Sequence, residues 1–121
     1  MARALLLTRG MVPEQSGWRR LTFDTIETLP ETGGVFEIGN LVRNVLYIDC
    51  ADGNLRRRLT TLGPAPSTLP PCAGGYYVRF VSTAKEAEAR DERLAAYREA
   101  HDGQLPVGNA RPSLARLHRA A

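Results

Sequence analysis

Short apolar runs separated by turn residues dominate the middle of the chain. Residues 35–38 and 45–50 are rich in β-branched and aromatic side chains, and the stretch GNLVRN joins them. This arrangement predicts a β-hairpin. Residues 76–81 form a third run of the same kind and predict a third strand.

Leucines at helical spacing predict a helix directly after the hairpin. In the segment DGNLRRRLTTL, Leu55, Leu59 and Leu62 recur at intervals of four and three residues, so they share one helical face. Asn54, immediately before the first leucine, is a suitable N-cap. Residues 63–75 contain four prolines and three glycines and therefore predict a loop.

Two capping-box spacings predict two further helices. Asp24 and Glu27 stand three residues apart ahead of Pro30, and Thr83 and Glu86 stand three residues apart ahead of a long charged segment. From the hairpin onward the order of elements is β-β-α-β-α. This order predicts an α+β fold in which helices flank a small, mainly antiparallel three-stranded sheet.

The composition is that of a soluble globular domain. The 121 residues are 43% hydrophobic and 24% charged, which suffices for one hydrophobic core. The apolar run at residues 4–7 is far shorter than the ~20 residues of a membrane span, and it is also too short for a secretory signal. We therefore expect a cytoplasmic protein without a membrane span, in which Cys50 and Cys72 are reduced thiols.

The positive charge of the chain lies at its two ends. Residues 1–20 carry four arginines and one glutamate, and residues 111–121 carry three arginines and no acid, whereas the residues between them are net acidic. We interpret residues 1–17 as an N-terminal extension, 18–110 as the folded domain and 111–121 as a basic C-terminal tail. We expect both ends to be disordered in isolation. Their arginines and scattered leucines would suit docking onto an acidic partner with apolar pockets.

Two triplets on the predicted hairpin resemble a known pattern. GVF ends at Phe36 on the first strand, and YID begins at Tyr47 on the second. They stand where the GIY-YIG nuclease family has Gly-Ile-Tyr and Tyr-Ile-Gly. Arg57, ten residues after Tyr47, lies in a helix similar to the arginine helix of that family, and Asn109 in LPVGN is similar to its closing asparagine. The resemblance covers about residues 18–110.

The resemblance implies a phosphodiesterase in which a tyrosine activates water and an arginine holds the phosphate. A divalent metal ion, Mg²⁺ or Mn²⁺, would be bound by a glutamate on a later helix and would stabilise the leaving oxygen. By their matched positions, Tyr47 and Arg57 are the catalytic candidates. Candidates for nucleic-acid binding are Arg56, Arg57, Arg58 and Asn109.

Two positions of the hairpin depart from the family pattern. Phe36 replaces the first tyrosine, and a phenyl ring cannot accept a proton. Asp49 replaces the glycine of the second triplet, and its carboxylate adds negative charge where a phosphate should bind. Both changes argue against hydrolysis.

The metal ligand on the long helix is also displaced from the family pattern. The apolar stripe that includes Leu94 points to Asp91 as the residue facing the site. Counting back seven residues from Tyr97 points instead to Arg90. Glu92, the nearest glutamate, lies on the face opposite Leu94. The ligand would be Asp91 or Glu92, or the site would have no metal.

Three hypotheses for function follow. The first is a non-catalytic interaction module on a degenerate GIY-YIG nuclease-like fold, acting as an accessory or structural subunit of a larger assembly with a protein partner. The alternative is a metal-dependent GIY-YIG-type endonuclease in DNA processing. A further alternative is a nucleic-acid binder without hydrolysis. We expect no cofactor under the first hypothesis and Mg²⁺ or Mn²⁺ only under the second.

Overall fold

One antiparallel sheet of four strands organises residues 15–110, the part of the chain that the computed structural model describes. The strands lie in the order β1–β4–β2–β3, and every neighbouring pair is antiparallel. Their bounds are β1 (Arg19–Arg20), β2 (Gly34–Gly39), β3 (Val45–Ala51) and β4 (Tyr77–Ser82). The predicted α+β class and the hairpin of β2 and β3 are confirmed.

The prediction of three strands was wrong by one. Strand β1 has only two residues, both arginines, so it carries none of the apolar alternation that identifies a strand in a sequence. It exists because it pairs with β4, where Arg19 lies opposite Val78. The pairing extends beyond the strand in both directions: the amide of Ser16 donates to the carbonyl of Phe80, and that of Leu21 donates to the carbonyl of Tyr76, each over 2.8 Å.

In the described part of the chain, four helices accompany the sheet: α1 (Phe23–Glu27), α2 (Leu55–Leu62), α3 (Glu86–Ala100) and α4 (Val107–Ala110). Helix α2 begins as predicted, because the side chain of Asn54 accepts a hydrogen bond from the amide of Arg57 over 2.9 Å. None of these helices is both long and apolar enough to cross a membrane, a finding that covers residues 15–110.

The two predicted capping boxes are not formed. Helix α1 is capped by Thr22, whose extended backbone lets its hydroxyl accept from the amide of Thr25 over 3.1 Å. Asp24 therefore falls in the first helical turn, where a carboxylate favours the helix dipole. At α3 the hydroxyl of Thr83 accepts from the amide of Lys85, and the helix starts only at Glu86, whose carboxylate accepts from the amide of Gly53 instead.

The sheet separates two hydrophobic clusters. On one face, Phe36 packs with Leu55 and Leu59 of α2, and Leu62 lies partly buried at the edge of this cluster. The predicted leucine stripe is thereby confirmed. On the other face, Val35, Ile48 and Val81 pack against apolar residues of α3. We call these surfaces the α2 face and the α3 face.

The N-terminal contacts of the sheet begin ahead of the domain start that was inferred from the sequence. The chain already contacts the sheet at Ser16, two residues before the expected start of the domain at residue 18. The expectation that the ends are disordered in isolation concerns chiefly residues 1–14 and 111–121, which lie outside the described residues.

Leu59→Ala tests the packing of α2 on the sheet. Leu59 is buried in the α2-face cluster, so its truncation leaves a cavity and should lower the free energy of unfolding by about 2–5 kcal/mol. Urea unfolding provides the measurement, with Thr60→Ala as the control because Thr60 is exposed on the same helix. A Leu59→Ala cost within about 0.5 kcal/mol, the range of surface changes, would mean that α2 does not pack as described.

Candidate functional site

The two aromatic residues of the hairpin lie side by side on the α2 face. Their ring centroids are 6.1 Å apart with the planes tilted by 60°. Phe36 is on the central strand β2 and is fully buried, whereas Tyr47 is on the edge strand β3 and is partly exposed. Phe36, at the first aromatic position of the family pattern, is therefore a core residue. Of the two, only Tyr47 presents a polar group to the surface.

Tyr47 belongs to a closed hydrogen-bond network on this face. Its hydroxyl donates to Oδ2 of Asp49 over 2.7 Å. Nη2 of Arg58 donates to the same carboxylate oxygen over 2.9 Å and lies 3.3 Å from the hydroxyl of Tyr47. The three side chains meet because Tyr47 and Asp49 are two residues apart on β3 and so point to one face, and α2 crosses that face. We call this group the Tyr47 network.

Asp49 has both carboxylate oxygens engaged. While Oδ2 accepts from Tyr47 and Arg58, Oδ1 accepts from the amide of Cys50 over 2.8 Å. Burial by itself would raise the pKa of Asp49, but the hydrogen bonds from Tyr47, Arg58 and the Cys50 amide outweigh it and hold the pKa below its ordinary value. The group is consequently a carboxylate at neutral pH with little capacity left for another ligand.

Tyr47 holds its proton strongly. Burial, the hydrogen bond to Asp49 and the negative charge of Asp49 together raise the pKa of Tyr47 from 10.0 to about 12, and Arg58 offsets this only in part. Burial would lower the pKa of Arg58, but the hydrogen bond to Asp49 and the smaller contributions of Tyr47 and the Asp49 charge together outweigh burial and raise it. The network thus contains a neutral phenol, a carboxylate and a guanidinium.

The three consecutive arginines of α2 do not form one surface. Nε of Arg56 donates to the carbonyl of Leu29 over 2.8 Å, and its Nη1 lies 3.1 Å from the carboxylate of Glu31. Arg57, the predicted catalytic residue, is exposed. Arg58 is the arginine that reaches Tyr47. Successive helical residues are rotated by about 100°, so the angle at which α2 docks decides which of the three faces the site.

The acids proposed as metal ligands lie apart from the Tyr47 network. They are carried by α3, which packs on the opposite face of the sheet. Asp91 is 68% exposed and pairs with Arg90 over 3.1 Å. Glu92 is exposed and borders a groove next to Arg93. Within residues 15–110, no three His, Cys, Asp or Glu side chains are grouped so that they could hold a metal ion. The two candidate acids therefore do not lie beside Tyr47, where the resemblance would place the metal.

Asn109 binds the backbone of the edge strand. Its Oδ1 accepts from the amide of Ile48 over 2.9 Å and its Nδ2 donates to the carbonyl of the same residue over 2.7 Å. This pairing brings α4 close to β3: a Cβ atom added at Gly108 would lie 2.7 Å from the carbonyl oxygen of Leu46. Asn109 therefore closes part of the outer edge of the sheet. Its side-chain amide is already hydrogen-bonded to the backbone of Ile48.

A second carboxylate–arginine group, on the α3 face, was not predicted from the sequence. Glu37 of β2 is buried, and its carboxylate accepts from Arg79 of β4 over 2.8 and 3.1 Å and from Arg93 of α3. The only signal in the sequence is a charged residue in the middle of an apolar strand. Its two partners are 42 and 56 residues away along the chain, and no local pattern connects them to it.

The protonation of Tyr47 is directly measurable. Because its folded-state pKa lies above the ordinary value of 10.0, the network stabilises the fold fully below pH 10 and loses that contribution as the pH rises towards 12. In ¹³C-tyrosine spectra at about pH 10.5, Tyr47, assigned with Tyr47→Phe, should remain largely neutral. In Asp49→Asn it should ionise at lower pH, since a negative charge is removed. Equal titration midpoints of Tyr47 in the unmodified protein and in Asp49→Asn would contradict the conclusion that Asp49 raises the pKa of Tyr47.

Asn109→Ala tests the closure of the sheet edge. The substitution leaves the amide and carbonyl of Ile48 without their side-chain partner, which should cost about 1–3 kcal/mol of unfolding free energy. The amide of Ile48 should also exchange faster with solvent deuterium. Asn44→Ala, in the exposed hairpin loop, is the matched control. Unchanged exchange at Ile48 would show that the edge is protected by something other than Asn109.

Comparison with known proteins identifies a family. No curated protein and no solved structure matches the chain. A family model described as "Domain of unknown function (DUF7508)" matches residues 12–100. The match extends over all four strands and ends at the last residue of α3, so it leaves out Asn109. Since it covers most of the chain, the protein belongs to the DUF7508 family.

Proposed function

We propose that this chain is a non-catalytic interaction module on a GIY-YIG nuclease-like fold and acts as an accessory subunit of a larger assembly. The order of a hairpin, a helix, a strand and a long helix supports the fold, as do the matched positions of Phe36, Tyr47 and Asn109. The observation that carries the functional proposal is the hydrogen bond from Tyr47 to Asp49.

Burial and this hydrogen bond together make Tyr47 unsuitable as the general base that hydrolysis would need. A base that works at neutral pH must release its own proton near pH 7. With a pKa of about 12, only on the order of one Tyr47 in 10⁵ would be ionised at that pH. The carboxylate that accepts the hydrogen bond of Tyr47 stands where the resembled family has glycine, so Asp49 adds to burial in holding the proton on the tyrosine.

The same carboxylate also occupies the arginine. A phosphate that approached Arg58 would have to displace Asp49 from a 2.9 Å ion pair, and it would meet a negative charge within the site. Nη2 of Arg58, the nitrogen next to Tyr47, already donates to Asp49. A charge clamp for a transition state requires donors that are free to meet developing charge, whereas this donor is already committed to the protein.

Exposed apolar side chains support an interaction role. Leu41 and Val42 at the tip of the hairpin are 49% and 70% exposed. The hairpin tip lies near Val107, also exposed, across an open groove. Adjacent exposed apolar residues of this kind are typical of contact surfaces.

A cleavage assay tests the absence of catalysis. The full chain should leave supercoiled, nicked and branched DNA intact in the presence of Mg²⁺ or Mn²⁺, because Tyr47 is protonated and Arg58 is paired. Tyr47→Phe and Arg58→Ala serve as matched variants, and both should show the same background level of DNA cleavage as the unmodified chain. Metal-dependent cleavage that disappears in either variant would establish the endonuclease alternative and refute the proposal.

Assembly is tested by what accompanies the protein in its native source. Size-exclusion chromatography of a native extract should find the chain in a particle much larger than 13.3 kDa. Cross-links should then map to the hairpin tip or to the terminal segments. Replacement of Leu41 and Val42 by serine, with Thr60→Ser as a control on α2, should reduce the share of chain in that particle. A chain that elutes only as a monomer would refute the accessory role.

A further inference from the structure

Among residues 15–110, no helix covers the part of the α3 face that is formed by β4 and β1. Helix α3 packs against β2 and β3, and it has few contacts with β4 and β1. On this part, alternation along the strands places Tyr77 and Arg79 of β4 on the same side as Arg20 of β1 and the preceding Trp18. Arg43 reaches the same area from the hairpin loop. We call these five residues the open face.

Rings and guanidinium groups are stacked on the open face. Cζ of Arg79 lies 4.5 Å from the ring centroid of Trp18, and Cζ of Arg43 lies 4.2 Å from that of Tyr77. Both rings are partly exposed, whereas Phe36 on the α2 face is fully buried. The open face therefore presents large flat groups that the protein does not use to fill its core.

The indole of Trp18 and the guanidinium of Arg79 are held in place by residues of the sheet. Trp18 packs directly against Gly39 of β2, where an added Cβ atom would lie 3.0 Å from Cη2 of the indole and 2.9 Å from the carbonyl oxygen of Asn44. Any larger residue at this position would push the indole off the sheet. Arg79 is oriented by its two hydrogen bonds to the buried carboxylate of Glu37. Both stacking groups are thus ordered before any ligand arrives.

The charge around the open face is positive. Arg20 and Arg43 are exposed and have no carboxylate partner among residues 15–110. Arg79 and the neighbouring Arg93 share the single carboxylate of Glu37. Counted within residues 15–110, the three arginines of the open face have Glu37 as their one paired carboxylate, so an approaching anion meets a net attractive field.

We propose that the open face binds single-stranded nucleic acid. Bases of a single strand stack on aromatic rings and on guanidinium planes, and arginines beside them pair with the phosphates. A duplex keeps its bases stacked internally and could use only the arginines. An acidic protein would likewise satisfy the charge and leave the rings unused. Exposed rings together with excess arginine therefore favour a single-stranded nucleic acid over a duplex or an acidic protein. The proposed binding site lies on the face of the sheet opposite to the Tyr47 network.

Intrinsic fluorescence gives a first readout. Trp18 is the only tryptophan in the sequence, so the tryptophan emission of the unmodified full chain reports the open face. Titration with twelve-nucleotide oligo(dT) and oligo(U) should quench it, and a duplex of the same length should bind less tightly. A lack of quenching by both oligonucleotides, or tighter binding of the duplex, would overturn the proposal.

Two neighbouring arginines form a matched pair of variants. Arg20 lies on the open face, whereas Arg19 points to the α2 face, where it lies 3.4 Å from the hydroxyl of Thr28. Arg20→Gln and Arg19→Gln change the same charge on the same strand and keep the arginines of both termini. Arg20→Gln should weaken binding and reduce the salt slope by about 0.7, the value for one lost phosphate contact to a single strand. Equal losses in both variants would mean that net charge alone drives binding.

The aromatic contribution is tested separately. Tyr77→Thr should weaken binding at least about fivefold, as expected when a stacked base loses its ring. Phe23→Ala, which removes an exposed ring outside the open face, should leave affinity unchanged. Circular dichroism and thermal melting verify that each variant is folded. An unaltered affinity in folded Tyr77→Thr refutes stacking, whereas cleavage of the oligonucleotide would refute only the non-catalytic function.

Discussion

The burial of strand β2 is the constraint on which the rest of the structure depends. All six of its residues are buried, and it pairs with β3 on one side and β4 on the other. A strand with neighbours on both sides and covered faces must satisfy every polar group within the protein. Phe36 can therefore only be a core residue, and Glu37 can be accommodated only with cationic partners. Leaving a buried carboxylate without them would cost several kcal/mol, so the positions of Arg79 and Arg93 follow from that of Glu37.

Carboxylate–arginine groups occupy both faces of the sheet and have different consequences. On the α2 face, Asp49 takes up the hydrogen-bonding capacity of Tyr47 and Arg58, which leaves a closed surface. On the α3 face, two arginines share Glu37, and the exposed arginines near them remain in excess. The proposed functions reflect this difference. We propose no catalysis on the α2 face, where charge is balanced, and binding on the α3 face, where charge and aromatic surface remain available.

The outer edge of β3 is closed by side chains rather than by another strand. Asn109 pairs with the backbone of Ile48, and the carboxylate of Asp49 accepts from the amide of Cys50. Unpaired edges invite other chains to add a strand, and these contacts oppose that on β3. Asp49 accordingly has two roles: it protects the outer edge of β3, and it accepts hydrogen bonds in the Tyr47 network. A change from glycine to aspartate at this position would alter both at once.

Local pattern was sufficient for the elements whose signals lie within a few residues. Alternation predicted the hairpin, leucine spacing predicted α2, and Asn54 marked its start, because each depends on neighbours along the chain. Tertiary structure alone decided the rest. Strand β1 exists only through pairing with β4, and Thr22 rather than Asp24 caps α1 because the backbone is extended at Thr22. The docking angle of α2 turns Arg58, not Arg57, towards Tyr47. Asn109 meets Ile48 across 61 residues, a contact that no local periodicity encodes, since it forms only when the sheet edge is already in place.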